Sequence, residues 1–132
     1  MSESSETGER ITEAEYAVME ALWAEAPLTA NAVADAVGPT RGWSLATVKT
    51  LLSRLVAKGA VGTEPQGKRF LYSPLIERAD YLGGESRRLV ERLFGGSAAG
   101  LFAHLAEAEA LTAADLDQIE ELLRELKREG GE

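Results

Sequence analysis

The sequence predicts a mainly α-helical chain interrupted by one small β-hairpin, and three observations predict it. Six times along the 132 residues, a residue suited to starting a helix precedes apolar positions at three- and four-residue spacing. Only residues 60–73 show the strand, turn, strand texture of a hairpin. A hydrophobic share of 45% with 27% charged residues is that of a folded globular chain and too apolar for disorder to dominate.

The elements follow in order. Residues 1–10 are Ser, Glu, Thr and Gly without an apolar run, and read as a disordered acidic arm and not as a signal peptide. Thr12-Glu13-Ala14-Glu15 has the form of a capping box, which opens a first helix carrying Tyr16, Val18, Met19, Leu22 and Trp23 and ending at Pro27. Thr29 caps a second, short helix from Ala30 to about Val37, stopped by Gly38-Pro39. Ser44 caps a third that runs to about Lys58, with Gly59 at its end. Ala60–Thr63 and Arg69–Ser73 then read as strands around a turn at residues 64–68. Ser73-Pro74 starts a fourth helix reaching Phe94, Ser97 a fifth to about Ala108, and Thr112-x-x-Asp115 a sixth to Arg128, before a flexible tail at 130–132. Three helices, a hairpin and more helix is the order of a winged helix-turn-helix. We expect that domain over residues 11–75 and a helical dimerisation region over 76–129.

Composition removes whole classes of function. Without cysteine and with a single histidine, His104, the chain has no thiolate nucleophile and no thiolate or two-histidine metal site; no cofactor motif is present either. With no paired-carboxylate or phosphate-loop motif, an enzyme is not expected. No apolar stretch approaches the roughly 18–20 residues of a membrane span, so a cytoplasmic protein without direct membrane insertion is expected.

A net charge of −8 argues at first sight against nucleic acid. Its partition reverses that. Residues 1–39 carry −7 and residues 76–132 carry −6, whereas residues 40–75 carry +5 from Arg41, Lys49, Arg54, Lys58, Lys68 and Arg69 against Glu64.

On a helical wheel, Leu45, Val48, Leu51, Leu52, Leu55 and Val56 share one arc of the third helix. The opposite arc carries Ala46, Thr47, Lys49, Thr50, Ser53, Arg54, Ala57 and Lys58, with no acid on it. Small hydroxyl and methyl groups with an Arg suit the major groove of double-stranded DNA. Thr47 and Thr50 are the candidates for base-edge contact, together with the small Ala46. Ser53 and Arg54 read bases or grip phosphate; Ser44 and Lys49 meet the backbone. Arg41 sits in the loop before this helix, and Lys68 and Arg69 at the hairpin tip are placed for phosphate or minor groove. Trp23, Trp43, Phe70 and Tyr72 are expected to pack in the core and not to stack on bases.

The run from Trp43 to Gly59, the opening Ile11–Trp23 and the hairpin Gly67–Pro74 together resemble the BlaI/MecI family of penicillinase-type winged-helix repressors. The resemblance extends from about Ile11 to Leu126. It implies a homodimeric transcriptional repressor of dyad-symmetric operators whose C-terminal helices dimerise. It further implies release from DNA when a membrane-bound sensor metalloprotease triggers cleavage in the dimerisation region, after an antibiotic or cell-envelope signal. The matching region is Gly95–Glu107, with His104-Leu105 where the best-known members have a cleaved Asn-Phe bond. A copper-responsive branch carries a C-terminal cysteine cluster, which this chain lacks.

Dimerisation also follows from the residues. Leu116, Ile119, Leu122, Leu123 and Leu126 form a seam that one terminal helix cannot bury alone, and Leu101 and Leu105 add to it. The alternative is a small-molecule-gated winged-helix regulator with an effector pocket between its DNA-binding and dimerisation parts.

Overall fold

The computed structural model describes residues 10–130. The expected acidic arm, Arg10 excepted, and residues 131–132 of the expected tail lie outside the described residues. The order is α1 (Glu13–Ala24), α2 (Ala30–Arg41), α3 (Leu45–Ala57), β1 (Val61–Gln66), β2 (Arg69–Pro74), α4 (Arg78–Phe94), α5 (Ala98–Glu107) and α6 (Ala113–Gly130). Two compact units result, one extending to Leu82 and one beginning at Gly83.

Helix starts obey their capping residues. The Thr12 hydroxyl accepts from Glu15 N at 3.1 Å while Glu15 Oε1 accepts from Thr12 N at 2.9 Å, a complete capping box. The hydroxyls of Thr29, Ser44 and Ser97 accept from Ala32 N, Thr47 N and Gly100 N. Thr112 and Asp115 bond reciprocally at 3.0 Å.

Helix and strand ends differ from expectation in four places. Gly38-Pro39 does not stop α2, which continues to Arg41. Proline removes only its own N–H from the ladder, and the last turn closes instead through Gly42 N on Gly38 O, with Gly42 left-handed at φ 71°. The expected five-residue turn contracts to Gly67-Lys68, because Glu64, Pro65 and Gln66 pair with Leu71, Phe70 and Arg69. Gly67, at φ 62°, supplies the positive dihedral a two-residue hairpin turn needs. Ser73-Pro74 remains in the strand, opposite Gly62 and Val61, and α4 begins only at Arg78. Gly130, expected in the tail, closes α6.

The first unit is built on Val18, Met19 and Leu22 of α1, Val33 and Val37 of α2, Val48, Leu51, Leu52 and Leu55 of α3, and Val61 of β1. Burying each such side chain contributes about 1.5–3 kcal/mol. Leu45 and Val56, expected on the buried arc, are each 38% exposed, so the stripe that packs is narrower than the wheel suggests.

The start of α4 joins this unit. Trp23 Nε1 donates to Ile76 O at 2.9 Å, Arg78 meets Glu20 at 3.5 Å, and the Tyr16, Trp23 and Tyr81 rings lie 5.7–5.8 Å apart. These contacts draw the chain beyond residue 75 onto α1. Leu28, between α1 and α2, pairs with Tyr72 of β2 through N–H to O bonds of 3.0 and 2.7 Å, fixing the hairpin beside the start of α2.

In the second unit no described side chain is buried. Leu101, Leu105 and Ile119 are half-buried; Leu116, Leu122, Leu123 and Leu126 are 47–63% exposed. Among the described residues no helix is long and apolar enough to cross a membrane.

Candidate nucleic-acid interface

The four apolar residues of α3 that reach the core fix its rotation, and thereby turn its other face outward. Ala46, Thr47, Lys49, Thr50, Ser53 and Arg54 are all exposed, as is Ser44 at the N-cap. The Ser44 hydroxyl contacts the Thr47 hydroxyl at 3.2 Å, and the Thr50 hydroxyl donates to Ala46 O at 3.1 Å. The first turns of α3 therefore present methyl groups and hydroxyl lone pairs on an acid-free surface.

Two residues of α3 converge with the hairpin. Lys49 and Ser53 line one side of a cleft of about 360 Å³, Lys68, Arg69, Phe70 and Tyr72 the other, and Thr29–Asn31 of α2 close its end. Among the described residues no carboxylate lines it. Among the described residues, Lys49, Arg54, Lys68 and Arg69 take part in none of the ion pairs, whereas Arg41, Lys58, Arg78 and Arg88 each have a carboxylate partner. Unpaired cations gathered at a reading helix and a hairpin tip form an electrostatic footprint for a polyanion.

Arg41 stands apart from this group. Its guanidinium lies 3.8 Å from Glu13 of α1 and 5.3 Å from the centre of the Trp43 ring, outside the cleft. Lys58, part of the +5 block, is held by Glu15 and the Arg10 carbonyl, each at 2.6 Å. Trp23, Trp43 and Tyr72 pack against the core cluster as expected, but Phe70 is 52% exposed, because the tip end of β2, before Tyr72, lies beyond the edge of the core. Thr29, the cap of α2, is also a wall of the cleft, and Asn31 beside it belongs to the site without any motif in the sequence that marks it.

The predicted cleavage positions fall in α5. His104 is exposed with its ring 6.1 Å from that of Phe94, and Leu105 is half-buried.

Residues 11–125 match the family model for the penicillinase repressor. The chain belongs to that family. The penicillinase repressor of Bacillus licheniformis is 29% identical over 118 residues, covering 89% of this chain and 92% of that protein. The methicillin resistance regulatory protein MecI of Staphylococcus aureus strain N315 is 26% identical over 113 residues, covering 86% of this chain and 92% of that protein. The solved DNA-binding domain of the repressor BlaI aligns at 36% identity and a TM-score of 0.50, over 55% of this chain and 88% of that domain. Apo MarR from E. coli shares the fold, with a TM-score of 0.51 at 22% identity over 88% of this chain and 77% of that one. As a penicillinase repressor family member, the chain is a DNA-binding transcriptional repressor with a winged-helix domain, and not an enzyme.

Proposed function

We propose that the protein represses transcription in the cytoplasm as a homodimer on dyad-symmetric operators, each protomer placing α3 in a major groove. Thr47, Thr50 and Ala46 meet base edges, Arg54 and Ser53 read bases or grip phosphate, and Ser44, Lys49, Lys68 and Arg69 hold the backbone. Arg41 reaches phosphate only by exchanging Glu13 for it. The acid-free outer face of α3, whose cations Lys49 and Arg54 have no ion-pair partner among the described residues, carries this reading.

Leu101, Leu105, Leu116, Ile119, Leu122, Leu123 and Leu126 form the dimer surface, supported by the exposure of four of them and the half-burial of Leu101, Leu105 and Ile119 in a unit where no described side chain is buried. We further infer release by cleavage near His104-Leu105, triggered through a membrane-bound sensor metalloprotease after an antibiotic or envelope signal. The regulators of penicillinase and of methicillin resistance among its relatives support that signal class. The bond lies within α5 (Ala98–Glu107), so cutting requires that helix to open into an extended strand.

The test is a duplex-binding titration across salt. If three or four cations per protomer meet phosphate, log K falls against log salt with a slope of roughly −5 to −7. Affinity that is insensitive to salt, or equal on selected and scrambled duplexes, would overturn the proposal.

A further inference from the structure

We propose that the cleft between α2, α3 and the hairpin is a seat for one DNA backbone phosphodiester and its adjoining deoxyribose. Lys49, Lys68 and Arg69 take the phosphate charge, Asn31 and Ser53 hydrogen-bond its oxygens, and Phe70 packs on the sugar. The inference rests on α3 entering the major groove, and divides the pair whose role the sequence left open: Ser53, which lines the cleft with Lys49, acts on the backbone, while Arg54, outside the cleft, faces the bases with Thr47 and Thr50.

Three observations carry it. The first is charge. Three cations line one cleft of about 360 Å³ with no carboxylate among the described lining residues, in a chain with 22 acids against 14 bases. Like charges held this close repel each other in the free protein, and an anion between them relieves the repulsion. A second groove, about 450 Å³ between α1 and α2, shows the contrast: four of its nine described lining residues are alanine, and Arg41, the cation there, shares it with the Glu20 carboxylate and is paired with Glu13, so it offers no comparable seat for an anion.

The second is the exposed aromatic ring. Phe70 and Tyr72 share one face of β2, since residues two apart on a strand point the same way. Tyr72 packs on the core, whereas Phe70 is 52% exposed and lines the cleft directly after Lys68 and Arg69. A half-exposed ring beside cations matches a nucleotide unit, which presents an apolar sugar edge next to each phosphate.

The third is rigidity. The Leu28–Tyr72 pair of backbone bonds, 3.0 and 2.7 Å, fastens β2 to the start of α2, holding Asn31 and Phe70 as neighbours. The two-residue turn Gly67-Lys68 leaves the tip little freedom. Cations on such a frame lose little conformational entropy on binding.

The experiment uses the full chain and the duplex it enriches most strongly from a randomised pool. Each phosphate of one half-site is replaced in turn by an uncharged methylphosphonate. One or two adjacent phosphates should stand out, their neutralisation weakening wild-type binding about tenfold. Lys49→Ala and Asn31→Ala should each weaken binding about fivefold and reduce the cost of that same neutralisation to less than about twofold. Only Lys49→Ala should make the salt slope shallower, by roughly 1. Phe70→Ala should weaken binding about threefold at an unchanged slope, and Phe70→Leu should recover most of it. These positions are exposed, so unchanged thermal melting checks the fold of each variant. A flat methylphosphonate profile, or one that the variants leave as in wild type, overturns the cleft assignment alone. A pool that yields no preferred duplex overturns the reading of α3 and this assignment with it.

Discussion

Lys58 Nζ lies 2.6 Å from Glu15 Oε1 and 2.6 Å from the Arg10 carbonyl oxygen, tying the end of the reading helix to the start of α1. The Glu15 side chain is 1% exposed, and its carboxylate also accepts from the Thr12 N–H as half of the capping box. One carboxylate thus fixes both a helix start and the base of α3. Lys58→Met should lower stability by about 2 kcal/mol, because it leaves that carboxylate buried without its cation. Urea unfolding at neutral pH checks this. Equal midpoints for variant and wild type would show the pair to be energetically idle.

The same pair sets an acid limit. Burial alone would push the Glu15 carboxyl up, but the Lys58 hydrogen bond, the Thr12 N–H and the Lys58 charge together hold it below the ordinary 4.5. A carboxyl lowered on folding contributes stability that is complete above its unfolded pKa and lost as pH falls through the folded value. Glu20 acts in the same direction, lowered foremost by the Tyr16 hydroxyl and also by Arg78. Stability should therefore fall below about pH 4.5, the ordinary value for a glutamate. Glu15→Gln should be less stable than wild type at pH 7 and lose less on going to pH 3. Parallel losses in urea titrations at the two pH values would remove Glu15 as a source of acid sensitivity.

The winged-helix core was legible because its signals are local. Thr12, Thr29, Ser44, Ser97 and Thr112 each cap the helix that their spacing to the following apolar residues implies. What was not legible depends on distant partners. Whether Ser73-Pro74 opens a helix or ends a strand is decided by Gly62 and Val61 across the hairpin. Phe70 resembles Tyr72 in sequence, and only the edge of the core, set by Leu28 and α2, separates the half-buried ring from the exposed one. Arg41 and Lys49 are alike as cations in a basic block, yet Glu13, 28 positions before Arg41, occupies only the former.

Thr50 offers a test of how α3 reads DNA. Its hydroxyl proton is committed to Ala46 O at 3.1 Å, which leaves a methyl group and lone pairs for a base edge. If the methyl is the reading group, Thr50→Val should bind the selected duplex within about twofold of wild type, whereas Thr50→Ser should lose about 1 kcal/mol. Replacing the contacted thymine by uracil should then weaken wild type and Thr50→Val alike. A large loss in Thr50→Val would instead assign the reading to the hydroxyl lone pairs.

The leucines of α6 should be silent in a monomer and decisive in a dimer. Leu122 is 56% exposed, so an aspartate there costs the isolated fold little. In a leucine seam it places a charge against apolar side chains of the partner. Leu122→Asp should sediment as a single chain, and operator affinity should fall about 100-fold or more as the two half-sites cease to be bound together. An unchanged sedimentation coefficient would refute the seam.

The turn between α5 and α6 holds the one described non-glycine residue with positive φ, Glu109 at 57°. Glu109 N bonds Ala106 O at 3.1 Å and Ala110 N bonds Leu105 O at 3.0 Å, so the position is a left-handed helix cap of the kind glycine fills best. Its carboxylate also lies at the negative end of the α5 dipole. Glu109→Gly removes both penalties, and the added freedom of the unfolded chain offsets only part of the gain. The net should be about 0.5–1 kcal/mol of added stability, read by urea unfolding of the full chain. Glu109→Ala separates the two causes: it relieves the charge but keeps a side chain in the left-handed region, so a gain equal to that of glycine would assign the whole effect to electrostatics.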